Sequence, residues 1–310
     1  MGLIAPSSRG MGGKSMEKTK QSYIYALVAI FFWATVPTAF KLSLRELSVL
    51  HMLAIASFTS TTVLFIIVVA GRKTGQIKNT TGKELVHSAL LGLINPFLYY
   101  IILLKAYQLL PAQVAQPLNM IWPIILVFLS IPILRQKIKS RSFIALFISF
   151  AGVYIISSQG KLFDHVHSDP GGVLLATGSS VFWAFYFILN VRDKRDEAVK
   201  LFLTFLFGCI YLIITMAVTG NWITIGSVKD LSAAVYVGIF EMGLTFFFWL
   251  KALQMASSTD RVSTLVYLAP FLSLIFVHFI LGESVYYTTP VGLVLIIAGI
   301  WIQNYKPSKG

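Results

Sequence analysis

Charge is what this chain has least of. Only 12% of its 310 residues are Asp, Glu, Lys or Arg, about half the roughly 25% of a soluble domain, which excludes an ordinary globular surface. Cysteine is nearly missing as well. The lone Cys209 rules out an internal disulfide, and its neighbours Leu206, Phe207 and Ile210 mark it as core packing. No Cys or His cluster has metal-ligand spacing, so no metal or other cofactor is expected. The phosphate-cradling pattern G-x-x-x-x-G-K-[ST] does not occur, which excludes a P-loop ATPase. Met1 to Met16 contain no apolar core of a signal peptide and read either as part of a disordered leader or as residues upstream of a start at Met11 or Met16. Pro6 breaks the myristoylation pattern that Met1-Gly2 would open.

What is present is apolar sequence, 56% of the chain, with a mean hydropathy of +0.78. It falls into ten runs at about 22–41, 49–70, 85–105, 112–133, 141–158, 171–191, 200–219, 231–251, 262–281 and 286–304. Each is long enough for a hydrocarbon core of about 30 Å. Lipid cannot satisfy a free backbone, so the runs are expected as helices. Lys and Arg divide unevenly between the intervening loops, eighteen on the side of both termini against four on the other, with Lys105, Lys251 and Arg261 left at span ends. Positive charge stays inside. The expectation is a multi-pass protein of the cell (inner) membrane with both termini cytoplasmic. This also accounts for the net charge of +13 without a nucleic-acid partner.

The two halves echo each other. Lys105-Ala106-Tyr107-Gln108-Leu109 matches Lys251-Ala252-Leu253-Gln254-Met255, Pro123 matches Pro270, Gly152 matches Gly299, and Phe32-Trp33-Ala34 matches Phe182-Trp183-Ala184, at offsets of 146 to 150 residues. Five spans per copy is odd, so the second copy must sit upside down. The fold expected is therefore an all-α integral membrane protein, ten transmembrane helices as two inverted five-helix repeats. Its parts are a disordered leader at 1–21, repeats at 22–158 and 171–305, an extracytoplasmic linker at 159–170 and a cytoplasmic tail at 306–310. Inverted repeats meeting at the bilayer midplane are the architecture of alternating-access carriers.

The stretch Gly238 to Gly282 stands out within this pattern, with Glu241 near the middle of one span and Pro270 inside the next. A mid-membrane carboxylate is costly and usually faces a cavity or a partner. Glu241 reads either as a substrate-amine or proton-coupling carboxylate, or as a residue tied to a neighbouring helix. At the 146-residue offset it corresponds to Asn95, beside the helix-kinking Pro96. Gln113, Gln116 and Asn119 recur every three residues, which gathers them toward one helix face. Lys105 and Lys251 sit at span ends, where snorkelling competes with contact to an anionic group. Trp33, Trp183, Tyr186 and Tyr267 are candidates for aromatic cavity walls against the alternative of packing.

The pattern Gly238…Trp249-x-x-Ala252-Leu253…Leu265-x-x-Leu268-x-Pro270…Leu281-Gly282-Glu283…Gly292…Gly299 resembles the second repeat of the EamA-like branch of the drug/metabolite transporter superfamily. Trp33, Gly92, Ala106, Pro123 and Gly152 resemble its first repeat, and the likeness covers about residues 22–305. It implies export or exchange of small metabolites such as amino acids, with helices 1–4 and 6–9 around a central cavity and helices 5 and 10 peripheral. Leu118-Asn119-Met120-Ile121-Trp122-Pro123 is similar to a segment of aromatic amino-acid exporters in this superfamily. Glu241 stands where the pattern has a small residue, and Lys251 where it has an aromatic.

The function expected is secondary transport of a small polar or zwitterionic metabolite, with no enzymatic step and with a proton or ion gradient as the natural driving force. The substrate-binding set is Glu241, Asn95, Asn119, Trp33, Trp183, Lys251 and Tyr267. The partners are a small-molecule substrate and the lipid bilayer, and a monomer is the expectation. A channel is one alternative. A membrane-embedded lipid or isoprenoid transferase is another, hooked on a magnesium-binding reading of Asp193-x-x-Asp196-Glu197.

Overall fold

A computed structural model describes residues 9–134, 140–161, 168–223, 228–255, 262 and 265–304. The expected tail at 306–310 and the turn Ser257 to Arg261 lie outside the described residues. Among the described residues there is no strand. The helices are α1 (Arg9–Leu44), α2 (Val49–Ala70), α3 (Thr74–Lys78), α4 (Gly82–Gly92), α5 (Tyr99–Leu109), α6 (Ala112–Asn119) and α7 (Trp122–Leu134). They continue with α8 (Ser140–Ser157), α9 (Pro170–Arg192), α10 (Glu197–Thr219), α11 (Val228–Tyr236), α12 (Thr245–Met255), α13 (Leu268–Leu281) and α14 (Thr288–Asn304). Six helical stretches among the described residues are long and apolar enough to cross a membrane, and three more are apolar but shorter. The protein is an all-helical, multi-pass membrane protein.

Local chemistry sets the helix ends. Ser48 caps α2 through the His51 N–H, and Thr81 and Glu84 form a reciprocal capping box on α4. Asp169 accepts from the Gly172 N–H at the start of α9, and Asp196 from Ala198 and Val199 at the start of α10. α10 ends at Gly220, whose φ of 66° is one that glycine adopts without strain.

Two spans are not continuous α-helix. Between α4 and α5 the π-helical turn Leu93–Leu98 contains Asn95 at φ −142°, ψ 121°, followed by Pro96 through a cis peptide bond. Between α11 and α12 lies a second π-helical segment, Val237–Leu244, which carries Glu241. Backbone groups displaced by the second segment find side-chain partners. Ser60 Oγ donates to the Met242 carbonyl at 2.9 Å, and Thr245 Oγ1 donates to the Phe240 carbonyl. Hydroxyls of this kind make irregular backbone tolerable at membrane depth.

The run at 112–133, expected as one helix, is broken between α6 and α7. Pro123 has no N–H for the Asn119 carbonyl, which accepts instead from Ser180 Oγ of α9 at 2.8 Å. α1 starts at Arg9, inside the stretch expected to be a disordered leader. The residues before Tyr23 include good helix formers (Met16, Glu17, Lys18, Lys20, Gln21) and extend the apolar span backwards.

Helix pairs are held close by small residues. A Cβ on Gly152 of α8 would stand 2.6 Å from the Gly292 carbonyl oxygen of α14, and one on Gly292 would stand 2.5 Å from that of Gly152. The two backbones therefore touch. Contacts also sort the loops into two ends. Lys41 Nζ reaches the Tyr107 and Leu110 carbonyls, Glu283 reaches Ala112 N, Gly160 N reaches Thr288, and His51 reaches Asn221, all at one end. Lys73–Asp196 and Arg195–Ser88 lie at the other.

Candidate functional site

The second π segment points Glu241 into the middle of the bundle. Its Oε1 accepts from the Tyr100 hydroxyl at 3.0 Å, while its Oε2 is buried with no hydrogen-bond partner. Tyr100 is itself fully buried. A carboxylate oxygen without a donor in an apolar interior is costly, so this atom is the site's open valence.

Around it lies a cavity of about 140 Å³. α1 supplies Trp33, Val36, Pro37 and Phe40, and α5 supplies Tyr99, Leu103 and Tyr107. Gln116, Asn119, Met120 and Trp122 come from the broken α6–α7 span. Trp183 of α9, Phe246 of α12, Val266 and Ala269 complete the wall with Glu241. The aromatic part is one connected stack. Trp183 packs on Tyr99 at 5.1 Å and on Phe246 at 5.7 Å, and Trp33 packs on Phe246 at 6.1 Å and Trp249 at 5.2 Å. Such contacts hold ring faces rigid.

The polar groups are anchored from behind. Asn119 donates from Nδ2 to Ser179 Oγ at 2.7 Å and accepts from the Tyr99 hydroxyl at 3.3 Å. Gln116 Oε1 accepts from the Ser273 hydroxyl. Gln113, expected on the same face, turns the other way. Its amide donates to the Ser284 carbonyl at 2.6 Å and accepts from Tyr286 N and Thr289 Oγ1, locking the loop before α14. A polar stripe with one period thus serves two purposes.

Of the residues expected to bind substrate, Glu241, Asn119, Trp33 and Trp183 line this one cavity. Asn95 and Lys251 do not. Asn95 is buried in the π turn with Oδ1 unpartnered. The Lys251 ammonium lies over the Tyr25 ring at 5.0 Å and the Phe247 ring at 5.7 Å, on the flank between α1 and α12. These cation–π contacts supply its stabilisation outside the cavity. The side chain of Tyr267 lies outside the described residues.

Tyr99, Tyr100, Tyr107 and Phe246 were missed. Tyr99 and Tyr100 follow the kink at Asn95 by four and five residues, close to one turn. Tyr107 sits inside the duplicated Lys105–Leu109 motif. These were the available signals.

A second space of about 490 Å³ opens at the Lys41 end of the molecule, lined by Lys41, Leu44, Arg45, Tyr107, Gln108, Leu281 and Glu283. Tyr107 belongs to both spaces, and its ring packs edge-on against Phe40 at 5.1 Å. Among the described residues it is the one that lines both. Glu283, of the Leu281-Gly282-Glu283 motif, accepts from the first N–H groups of α6 at Ala112 and Gln113.

The carboxylates on which the transferase alternative rested are committed to ion pairs. Asp193 pairs with Arg195 at 2.5 Å, Asp196 with Lys73 at 2.7 Å, and Glu197 with Lys200 at 2.7 Å.

An all-helical bundle with broken mid-membrane helices around a small cavity defines a membrane transporter. The chain belongs to the EamA-like transporter family, which matches residues 20–158 and again residues 170–305. It is similar to an uncharacterized transporter of Clostridium kluyveri, 26% identical over 297 residues that cover 94% of each chain. It is equally similar to one of Archaeoglobus fulgidus, 26% identical over 92% of this chain and 98% of the relative. A crystal structure of a chain 17% identical superposes with a TM-score of 0.63 over 92% of this chain and 96% of its own, which shows a shared fold.

Proposed function

We propose that this protein is a secondary carrier that exports or exchanges a small amine-bearing metabolite, an amino acid or related zwitterion, by alternating access. The observation that carries the reading is the aromatic-lined cavity whose one acid, Glu241, has an Oε2 without a regular hydrogen-bond partner. An ammonium group would supply the missing donors, and the ring faces of Trp33, Trp183 and Phe246 suit a cation. A proton on Glu241 would satisfy the same oxygen, so proton and substrate compete for one atom, and that competition is a coupling mechanism.

Two reciprocal contacts support the inverted ten-span arrangement. A Cβ on Gly92 would stand 2.5 Å from the Thr204 carbonyl oxygen of α10, and a Cβ on Gly238 would stand 2.5 Å from the Ala56 carbonyl oxygen of α2. Gly92 and Gly238 are 146 residues apart, and Ala56 and Thr204 are 148 apart. Each copy thus presents the same glycine to the same helix of the other. The Phe40–Tyr107 ring contact supports an arrangement in which the inner cavity is separate from the space at Lys41 and Arg45. Those two cations suit the carboxylate of a zwitterion. The eighteen-to-four division of basic residues favours cytoplasmic termini in the cell (inner) membrane, with the Lys41 end outward.

Purified protein in proteoliposomes is expected to exchange labelled amino acids with saturable kinetics, and Glu241→Gln to cut that exchange at least about 10-fold at near-normal expression. A conductance far above carrier turnover would replace the carrier reading with a channel. Unchanged exchange in a destabilised Glu241→Gln protein would leave Glu241 a purely structural residue.

A further inference from the structure

At the end of the molecule opposite Lys41 lies a third space, of about 470 Å³, lined by Lys83, Glu84, His87, Arg192, Asp193, Lys194 and Arg195. It sits where α4 begins and α9 ends, at the level where the apolar spans give way to polar residues. Its size falls within the roughly 300–1,000 Å³ of ligand sites.

Its charges do not cancel. Glu84 is spent on the capping box, where it accepts from the Thr81 N–H at 2.8 Å and the Thr81 hydroxyl at 2.7 Å. Asp193 is spent on the Arg195 guanidinium, which also donates to Ser88 Oγ at 2.8 Å. His87 lies 3.9 Å from the same Asp193 carboxylate. Three full cations lining the space, Lys83, Arg192 and Lys194, are left without an acidic partner among the described residues. The Nη1 of Arg195 is buried without an acceptor.

Beyond the charged lining, the same two helices carry exposed apolar residues. Val86 and Leu90 follow Lys83 at helical spacing of three and seven residues and are 71% and 46% exposed. Phe185, seven residues before Arg192 on α9, is also exposed. A cationic pocket at the interface above an exposed apolar face matches one chemistry, an anionic headgroup with acyl chains attached.

We propose that this pocket binds an anionic glycerophospholipid, its phosphate among Lys83, Arg192 and Lys194 and its chains along Val86, Leu90 and Phe185. The bound lipid bridges the start of α4 and the end of α9. α9 also carries Trp183 of the inner cavity.

The test uses the full-length protein in a neutral detergent, with bound lipid counted by native mass spectrometry. Dioleoyl phosphatidylglycerol is expected to be retained at least about 10-fold better than dioleoyl phosphatidylcholine. The triple variant K83Q/R192Q/K194Q is expected to lose that preference while keeping the wild-type melting temperature in phosphatidylcholine. The single variants R192Q and K194Q should lose it partially, which keeps the test informative if the triple variant folds poorly. A control with equal charge loss elsewhere, K18Q/K20Q/K161Q, should keep it. Equal retention of both lipids by the wild type, undiminished phosphatidylglycerol retention in the triple variant, or equal loss in the control would each overturn the proposal. Displacement of the lipid by millimolar inorganic phosphate, with equal thermal stabilisation by phosphate alone, would overturn it in favour of a free-anion site.

Discussion

At the residue scale the protein turns on which polar atoms have partners. Glu241 accepts from the Tyr100 hydroxyl and interacts with the Trp33 side chain beside it, and its Oε2 has no hydrogen bond of regular geometry. Hydrogen bonds to a charged group are worth about 1.5–3 kcal/mol, so Glu241→Gln is expected to cut exchange roughly 10- to 150-fold in a proteoliposome assay. Tyr100→Phe removes only the carboxylate's anchor. It should lower transport by less than Glu241→Gln while leaving binding of an amine measurable by thermal shift. Asp193 offers a contrast at the membrane surface. Burial pushes its carboxyl pKa up, but the Arg195 hydrogen bonds outweigh that and hold it below the ordinary 3.8. A depressed folded pKa stabilises above the unfolded value and loses that stability as pH falls through the folded one. Hydrogen exchange at residues 193–196 should therefore accelerate only below about pH 4. Asp193→Asn should exchange faster already at neutral pH and show no further acid step.

At the scale of elements, two spans are useful because they are broken. The π segments at Leu93–Leu98 and Val237–Leu244 replace ideal helix at membrane depth, where backbone must be re-satisfied by neighbours such as Ser60 and Thr245. Each break adjoins a glycine that lets a neighbouring helix touch. Gly92→Ala and Gly238→Ala each force a methyl against a carbonyl oxygen 2.5 Å away. Overpacking of this kind costs about 1–3 kcal/mol. Both variants should lose several degrees of melting temperature in detergent, and by similar amounts because the contacts are reciprocal. A loss confined to one of them would argue against equivalent halves. Pro96 was legible in the chain as a kink, and Gly92 and Gly238 as positions of the family pattern, but not as helix contacts. Pro117 and Pro123 also offered a break in the 112–133 span, but not its position between α6 and α7, because either proline alone is compatible with a kinked continuous helix. The stop depends on Ser180, more than fifty residues away, taking the Asn119 carbonyl.

At the scale of the whole molecule, the inner cavity and the Lys41 space share one wall, Tyr107. Tyr107→Ala should merge them. Downhill efflux of substrate from proteoliposomes is expected to rise, while accumulation against a gradient falls toward zero. If both change in parallel, Tyr107 is a packing residue and not a partition. At this scale the two family matches, to residues 20–158 and 170–305, agree with the duplication read from Lys105–Leu109 and Lys251–Met255.

The sequence by itself determined the membrane class, the positions of most spans, the duplication and the family, because these depend on hydropathy, charge bias and short motifs that a linear chain carries openly. It also singled out Glu241, since a carboxylate among apolar residues is conspicuous without any fold. Only the tertiary structure decided which candidates meet. Trp33, Trp183 and Asn119 converge on Glu241 because α1, α9 and the broken α6–α7 span pack around one point. Lys251 and Asn95, conspicuous for the same reason as Glu241, are drawn off by other partners or buried in the π turn. Polarity in a span marks a residue that must be satisfied somewhere, but the packing of helices far apart in sequence decides whether the answer is a ring, a carbonyl or an open cavity.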